Sequence, residues 1–261
     1  TQHPQFADLL RWLGHDRFDD VRVSVSSVRA ATVTTELASG LARRGSKSLT
    51  IAIESGSERI REVVNKKLSN EEISAAARHA KEGGLRALKL YGMVGLPSEQ
   101  EEDVESTADL LLQLKKTNPG LRFTLGVSTF VPKAQTPFQW QGVRPEADKR
   151  LKRLAKRLKP KGIDLRPENY GWSVIQALLS RSDRRLAPVI AAVRGSQESL
   201  GGWKKAYRAA LAGDLPKAQS GGVALPLPPS WDHVVHDVWD TESELPWGHL
   251  NGPLTKERLI K

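Results

Sequence analysis

Four short runs rich in Val, Ile and Leu recur through the first half of this chain. They are VRVSVSSV (21–28), SLTIAIES (48–55), LRALKLYGMVG (85–95) and LRFTLGVSTFV (121–131), with helical patterns between them. Apolar runs of this length read as strands buried on both faces. After the first run, TTELASGLARRG places Leu37 and Leu41 one turn apart and Gly45 as a stop. After the second, Ser69 and Glu72 form a capping box and Gly83-Gly84 end the helix. After the third, Ser98 and Glu101 read as another capping box ahead of Leu110, Leu111 and Leu114. Runs beginning at 21, 48, 85 and 121 are spaced for one βα unit each, which predicts a parallel sheet or barrel covered by helices.

A closed eight-stranded barrel takes about 250 residues. Here four strands, or five counting GIDLR, fall within residues 1–167, and the helix PQFADLLRWLG (4–14) has no strand before it. The expected fold class is therefore α/β, a partial barrel open at its N-terminal side. From residue 168 the pattern changes to short helices, WSVIQALLSR, DRRLAPVIAAVRG and GGWKKAYRAAL. A Gly/Pro-rich stretch at 213–230 reads as a linker, and residues 168–261 form a mostly helical extension.

Composition narrows the function classes. No cysteine occurs in the 261 residues, so this chain supplies neither a disulfide nor a thiolate ligand to a metal or cluster. No apolar run approaches the ~18 residues of a membrane span, so no membrane partner is expected and a cytoplasmic location is the default. The net charge of +10 admits an acidic partner such as RNA.

Parallel α/β proteins bind ligands at the C-terminal ends of their strands. Three such ends stand out: IESGSER (53–59), GMVGLPSE (92–99) and VPKAQTPF (131–138). Glu54 ends an apolar strand, where a carboxylate can hold ribose hydroxyls or an amino group. Lys66, twelve residues on, is placed for a ligand carboxylate; the plainer reading pairs Glu54 with a nearby cation and leaves Lys66 solvated. Gly92 and Gly95 allow close backbone approach, or simply turn the chain.

Taken together and in order, AIESGSERIREVVNKKLSNEE, LKLYGMVGLPSEQEEDVEST and VSTFVPKAQTPFQW closely resemble the radical S-adenosylmethionine (radical SAM) superfamily. The nearest subgroup is one of uncharacterised members with an N-terminal cobalamin-binding domain, echoed further by LLSRSDRRLAPVI, GGWKKAYRAAL and ELPWGHL. The resemblance runs over roughly residues 20 to 250. It implies a partial (β/α)6 TIM-like barrel with SAM bound across the strand ends. By position, Glu54 and Ser57 would face the ribose or amino group and Lys66 the carboxylate of SAM. Gly92, Met93, Val94 and Gly95 would line the adenine, with Val131 and Pro132 closing that side. Lys133, Gln135 and Thr136 would face substrate or the barrel mouth. No catalytic residue is assigned.

Relatives hold a 4Fe–4S cluster on a CxxxCxxC loop after the first strand and carry a glycine-rich motif on the second, and neither is present. If 21–28 is the third strand of the family, both lie upstream of Thr1, together with a missing N-terminal domain, and this chain is a fragment that is inactive alone. Its strand 21–28 would then be an unprotected apolar edge. The parent's expected chemistry is reductive cleavage of SAM to a 5′-deoxyadenosyl radical acting on an unknown substrate, with cobalamin-dependent methyl transfer as a variant. The alternative is a cluster-free, non-catalytic relative that binds RNA or protein.

Two further features have bland readings beside functional ones. EADKRLKRLAKRLKPK puts Leu151, Leu154, Ala155 and Leu158 on one helix face and crowds Lys149, Arg150, Lys152, Arg153, Lys156, Arg157 and Lys159 around the rest. That is a surface for RNA phosphates, or the solvated outer face of a barrel helix, which the absence of interleaved aromatics favours. His233 and His236, with Asp232 and Asp237, could reach one metal, but Trp231, Val234, Val235 and Trp239 around them suggest a packing helix. No metal ligand is assigned.

Overall fold

The computed structural model describes residues 3, 5–194, 198–220, 223–228 and 230–260. The chain divides into two compact units, one of residues 1–128 and 149–167, the other of residues 129–148 and 168–261.

The first unit is built on a four-stranded parallel sheet, β1 (Ser48–Glu54), β2 (Ala87–Val94), β3 (Arg122–Thr129) and β4 (Asp164–Pro167), in that spatial order. Its helices are α1 (Phe6–Leu13), α2 (Thr35–Arg43), α3 (Glu58–Val63), α4 (Asn70–Glu82), α5 (Glu101–Thr117) and α6 (Ala147–Leu158), the last beginning two residues before the unit resumes. This is the alternating α/β arrangement of a partial barrel. Local residues set the helix starts. Thr34 accepts the Leu37 N–H at the head of α2, and Ser69 and Glu72 form the reciprocal box at the head of α4.

The structure departs from expectation in three places. Residues 21–28 form no strand; they touch the sheet through one parallel bridge, Val28 to Ile51. The Val23 N–H and C=O are instead taken by the Arg44 carbonyl and the Ser46 hydroxyl, at the end of α2. Val21 is consequently 39% exposed, and the apolar edge strand expected there does not exist. Second, the strands are not buried on both faces. Leu49, Ile51, Ile53, Leu88, Leu90, Leu125 and Val127 pack inward, whereas Thr50, Lys89, Tyr91, Thr124 and Arg166 on the alternate positions are half-buried or exposed. The polar residues interspersed in these runs carry the period of two that a one-sided sheet needs. Third, α5 is capped by Gln100 with Asp103, not by Ser98 with Glu101. Ser98 sits at φ 62 and Glu99 is turned inward, so the helix opens two residues later.

The basic helix α6 does carry Leu151, Leu154 and Leu158 on its buried face. Its arginines are matched to the acidic face of α5: Arg150 to Glu99 and Glu101, Arg153 to Glu101 and Glu105, Arg157 to Glu105 and Asp109. Much of its charge is therefore neutralised within the unit.

The second unit packs α7 (Tyr170–Ser180), α8 (Ala187–Val193), α9 (Leu200–Ala212) and α10 (Trp231–Val235) around Val174, Leu178, Val189, Trp203, Tyr207 and Val235, with α11 (Lys256–Ile260) at the end. Within the expected linker 213–230, β5 (Ala218–Ser220) and β6 (Val223–Leu225) pair antiparallel, while residues 221, 222 and 229 lie outside the described residues. The α10 helix is one short turn, and His236 at its end is turned to the Val143 carbonyl (2.7 Å), whereas His233 faces Asp237 (3.4 Å). Among the described residues no group of three or more His, Cys, Asp or Glu is placed to hold a metal. Among them, too, no helix is long and apolar enough to cross a membrane.

Candidate functional site at the ends of β1 and β2

Glu54 ends β1 with φ 63, left-handed backbone that a glutamate enters only at a cost of about 1–2 kcal/mol. A bulge between Ala52 and Glu54 shifts the register so that Glu54 stands opposite Gly92 of β2. The side chain is re-aimed by this kink, and Lys66 reaches it from the turn after α3, Nζ to Oε1 2.8 Å. Both side chains keep some exposure, 24% for Glu54 and 34% for Lys66. Two residues singled out separately in the sequence are thus one ion pair at the sheet's carboxyl edge.

Residues 55–61 act as scaffolding for that pair. Gly56 lies against α5 so closely that a Cβ would stand 2.3 Å from the Thr107 Cα, and its N–H donates to Thr107 Oγ1 at 2.8 Å. Ser57 is buried: its hydroxyl donates to Asp103 Oδ1 (2.6 Å) and accepts from the Ile60 N–H to start α3. Asp103 also receives Arg59 and the Gln100 N–H. Burial raises the Asp103 carboxyl, and these bonds from Arg59, Ser57 and Gln100 more than offset it, leaving it below the usual aspartate range. Arg61, 1% exposed, donates to the Ser55 carbonyl (2.7 Å), the Leu68 carbonyl (2.7 Å) and Asn70 (2.8 Å). Its links therefore run from the residue after Glu54 to the far side of the turn that carries Lys66. Nothing in the sequence distinguished Arg61 or Asp103 from ordinary helix-surface charges.

The GMVGLPSE turn is also held from within. Gly92 is closed in by the Glu54 carbonyl, 3.1 Å from where a Cβ would be. Met93 is half-buried and Val94 buried. Gly95 adopts φ 78, and its N–H donates to Glu99 Oε2 at 2.6 Å. The same carboxylate oxygen receives Arg150 Nη1 at 2.8 Å, both side chains being almost wholly buried. Burial pushes the Glu99 carboxyl up to about 7, against the opposing pull of the Gly95 N–H and Arg150.

Stability should depend on pH through that shift. The folded pKa lies above the unfolded value of 4.5, so the folded state binds the proton more tightly. The contribution of Glu99 to stability is then full below about pH 4.5 and is lost as pH rises through 7, with a slope of at most about 1.4 kcal/mol per pH unit. Urea unfolding of Glu99→Gln from pH 5 to 8 is expected to lack this slope, and a slope equal to that of the wild type would remove Glu99 as its source.

Val131 and Pro132 belong to the second unit, where Val131 joins the hydrophobic cluster and the Pro132 carbonyl accepts from Ser180. Beyond them, Thr136 bonds back to the Lys133 carbonyl, and Gln135 donates to the Leu250 carbonyl. A groove of about 350 Å³ between α1 and α2, lined by Leu10, Leu37 and Arg43 among others, contains none of the residues named above as site candidates.

The first unit is thus an α/β fold whose parallel sheet ends, at its carboxyl edge, in the Glu54–Lys66 pair and the Gly92–Gly95 turn. Residues 2–111 match the family model of the Radical SAM superfamily, a stretch that holds Glu54, Ser57, Lys66 and Gly92–Gly95 but not Val131 or Pro132. Among similar proteins is the uncharacterized protein MJ0966 of Methanocaldococcus jannaschii, 36% identical over 167 residues. The aligned stretch is 64% of this chain and 36% of that protein, so the chain spans about a third of the length of its relative.

Proposed function

We propose that this chain provides the SAM-facing strand ends of a radical SAM enzyme, with Glu54 and Lys66 gripping the polar end of SAM. The observation that carries this reading is the partly exposed Glu54–Lys66 pair at a strained strand end beside a glycine. The residues fit SAM in chemistry. A carboxylate suits its amino group or ribose hydroxyls, an ammonium suits its carboxylate, and the pair would open to receive both. Gly92–Gly95 would give the adenine a wall with few side chains. The 4Fe–4S cluster does not fit, because the chain has no cysteine, and in this reading its ligands come from residues outside this sequence. Held by such residues, the cluster would supply an electron; the part of the residues here would be to bind and orient SAM.

The test compares two ligands. SAM carries the amino-acid end and 5′-methylthioadenosine lacks it. In equilibrium dialysis the chain is expected to prefer SAM, and Lys66→Met to reduce that preference by about ten-fold or more, the loss of one charge-assisted bond. Equal binding of the two ligands by the wild type, or no binding of either, would contradict the assignment.

A further inference from the structure

We infer that the open face of the first unit's sheet binds single-stranded RNA, one base stacking on Tyr91 and the phosphates running over Lys89 and Arg122. Register fixes how these side chains sit. Ala52 pairs with Tyr91 and Gly126 with Arg166, and the Tyr91 ring against Gly126 joins the two pairs into one row across all four strands. A Cβ on Gly126 would stand 2.6 Å from Tyr91 Cε1 and 2.7 Å from Cδ1, so the strand gives up a side chain to seat the ring's edge. One step nearer the amino edge, Thr50 pairs with Lys89 and Thr124 with Asp164. Arg122 precedes Thr124 by two residues on the same face, and its N–H donates to the Arg86 carbonyl just before β2 (3.1 Å).

Tyr91 is 51% exposed. Trp12, also exposed in this unit, is met by the Phe18 ring at 4.4 Å and by Arg17 at 4.9 Å. Tyr91 has no ring or cation over it among the described residues, so its outer surface is free to stack. The charges show the same contrast. Arg150, Arg153 and Arg157 on α6 each hold carboxylates, whereas Lys89 and Arg122, both exposed, have no side-chain partner among the described residues. The one carboxylate in the two rows, Asp164, is taken by Arg166 at 2.8 Å and Thr124 at 3.4 Å. A track of unanswered positive charge beside a bare ring is complementary to a strand of phosphates and bases.

Lys89 lies two residues from Tyr91 along β2, about 7 Å, so one nucleotide can meet both. Four strands make a surface about 14 Å wide, too open to enclose a small molecule and suited to a chain laid across it. The Thr50 hydroxyl beside Lys89 has no partner among the described residues and is placed for a ribose 2′-hydroxyl, the group that distinguishes RNA from DNA. The net charge of +10 adds long-range attraction. None of the residues proposed to face SAM takes part, so this surface stands or falls independently of that reading.

The experiment measures fluorescence anisotropy of a short labelled oligouridylate with the full chain at a series of salt concentrations. Affinity is expected to fall with salt, and Lys89→Gln with Arg122→Gln to flatten the log–log slope by about 1.4, two phosphate contacts at about 0.7 each. Tyr91→Ala should weaken binding about ten-fold and leave the slope unchanged, while Tyr91→Phe keeps the wild-type affinity. An abasic strand of equal length should bind the wild type about ten-fold more weakly, a comparison that needs no variant to fold. The matching oligodeoxyuridylate should bind several-fold more weakly. Equal affinity for the abasic or the deoxy strand, competition by polyglutamate as strong as by RNA, an unaltered affinity in Tyr91→Ala, an unaltered slope in the double variant, or no binding at low salt would overturn the surface.

Discussion

Arg150→Met is expected to destabilise the first unit by about 3–5 kcal/mol at pH 8, because it strips the partner from a carboxylate buried in the interior. Arg150 spans Glu99, through both its carboxylate and its carbonyl, and Glu101, so α6 is fastened to the strand-β2 turn and the head of α5 together. The loss should shrink towards pH 5, where Glu99 binds a proton and no longer needs the cation. Adding Glu99→Gln should restore much of it at pH 8. Chemical unfolding of the two single variants and the double measures the coupling directly, and simple additivity would mean that the pair does not act as a unit.

Gly56→Val should be comparably damaging, at about 3 kcal/mol or more, since overpacking alone costs about 1–3 kcal/mol and here every close neighbour is backbone. The first added carbon would stand 2.3 Å from the Thr107 Cα and 2.8 Å from the Ser106 carbonyl, so α5 must move away. The Gly56 N–H bond to Thr107 and the Ser57 bond to Asp103 would go with it. Because those bonds lie directly after Glu54, the variant should lose ligand binding at the strand ends even where it remains folded. Circular dichroism melting gives the stability, and a melting temperature within a degree or two of the wild type would show that α5 yields easily.

Local signals carried most of the fold. The runs at 48–55, 85–95 and 121–131 and the capping box at Ser69 are dictated by residues within a few positions of one another, and all are present, the runs as strands buried on one face. Two of the failures share a cause, competition from distant partners; the third, strands buried on one face and not both, was written locally in the alternating polar residues of the runs. Residues 21–28 have strand composition, yet their hydrogen bonds go to the end of α2. Ser98 and Glu101 have the spacing of a cap, yet Glu99 between them is claimed by Arg150, some fifty residues later. At the candidate site, Glu54 and Lys66 stood out from position alone, but their mutual pairing did not, and neither did Ser57's engagement with Asp103. Arg61 and Asp103 look like common helix charges until burial is known.

Amide hydrogen exchange of the chain with and without SAM probes the SAM assignment at the residues themselves. Added protection is expected in two short stretches only, around Glu54–Lys66 and Gly92–Gly95, and it should vanish in a Glu54→Ala, Lys66→Met double variant. Protection elsewhere with none at these strand ends, or no change at SAM concentrations that saturate binding, would rule the assignment out.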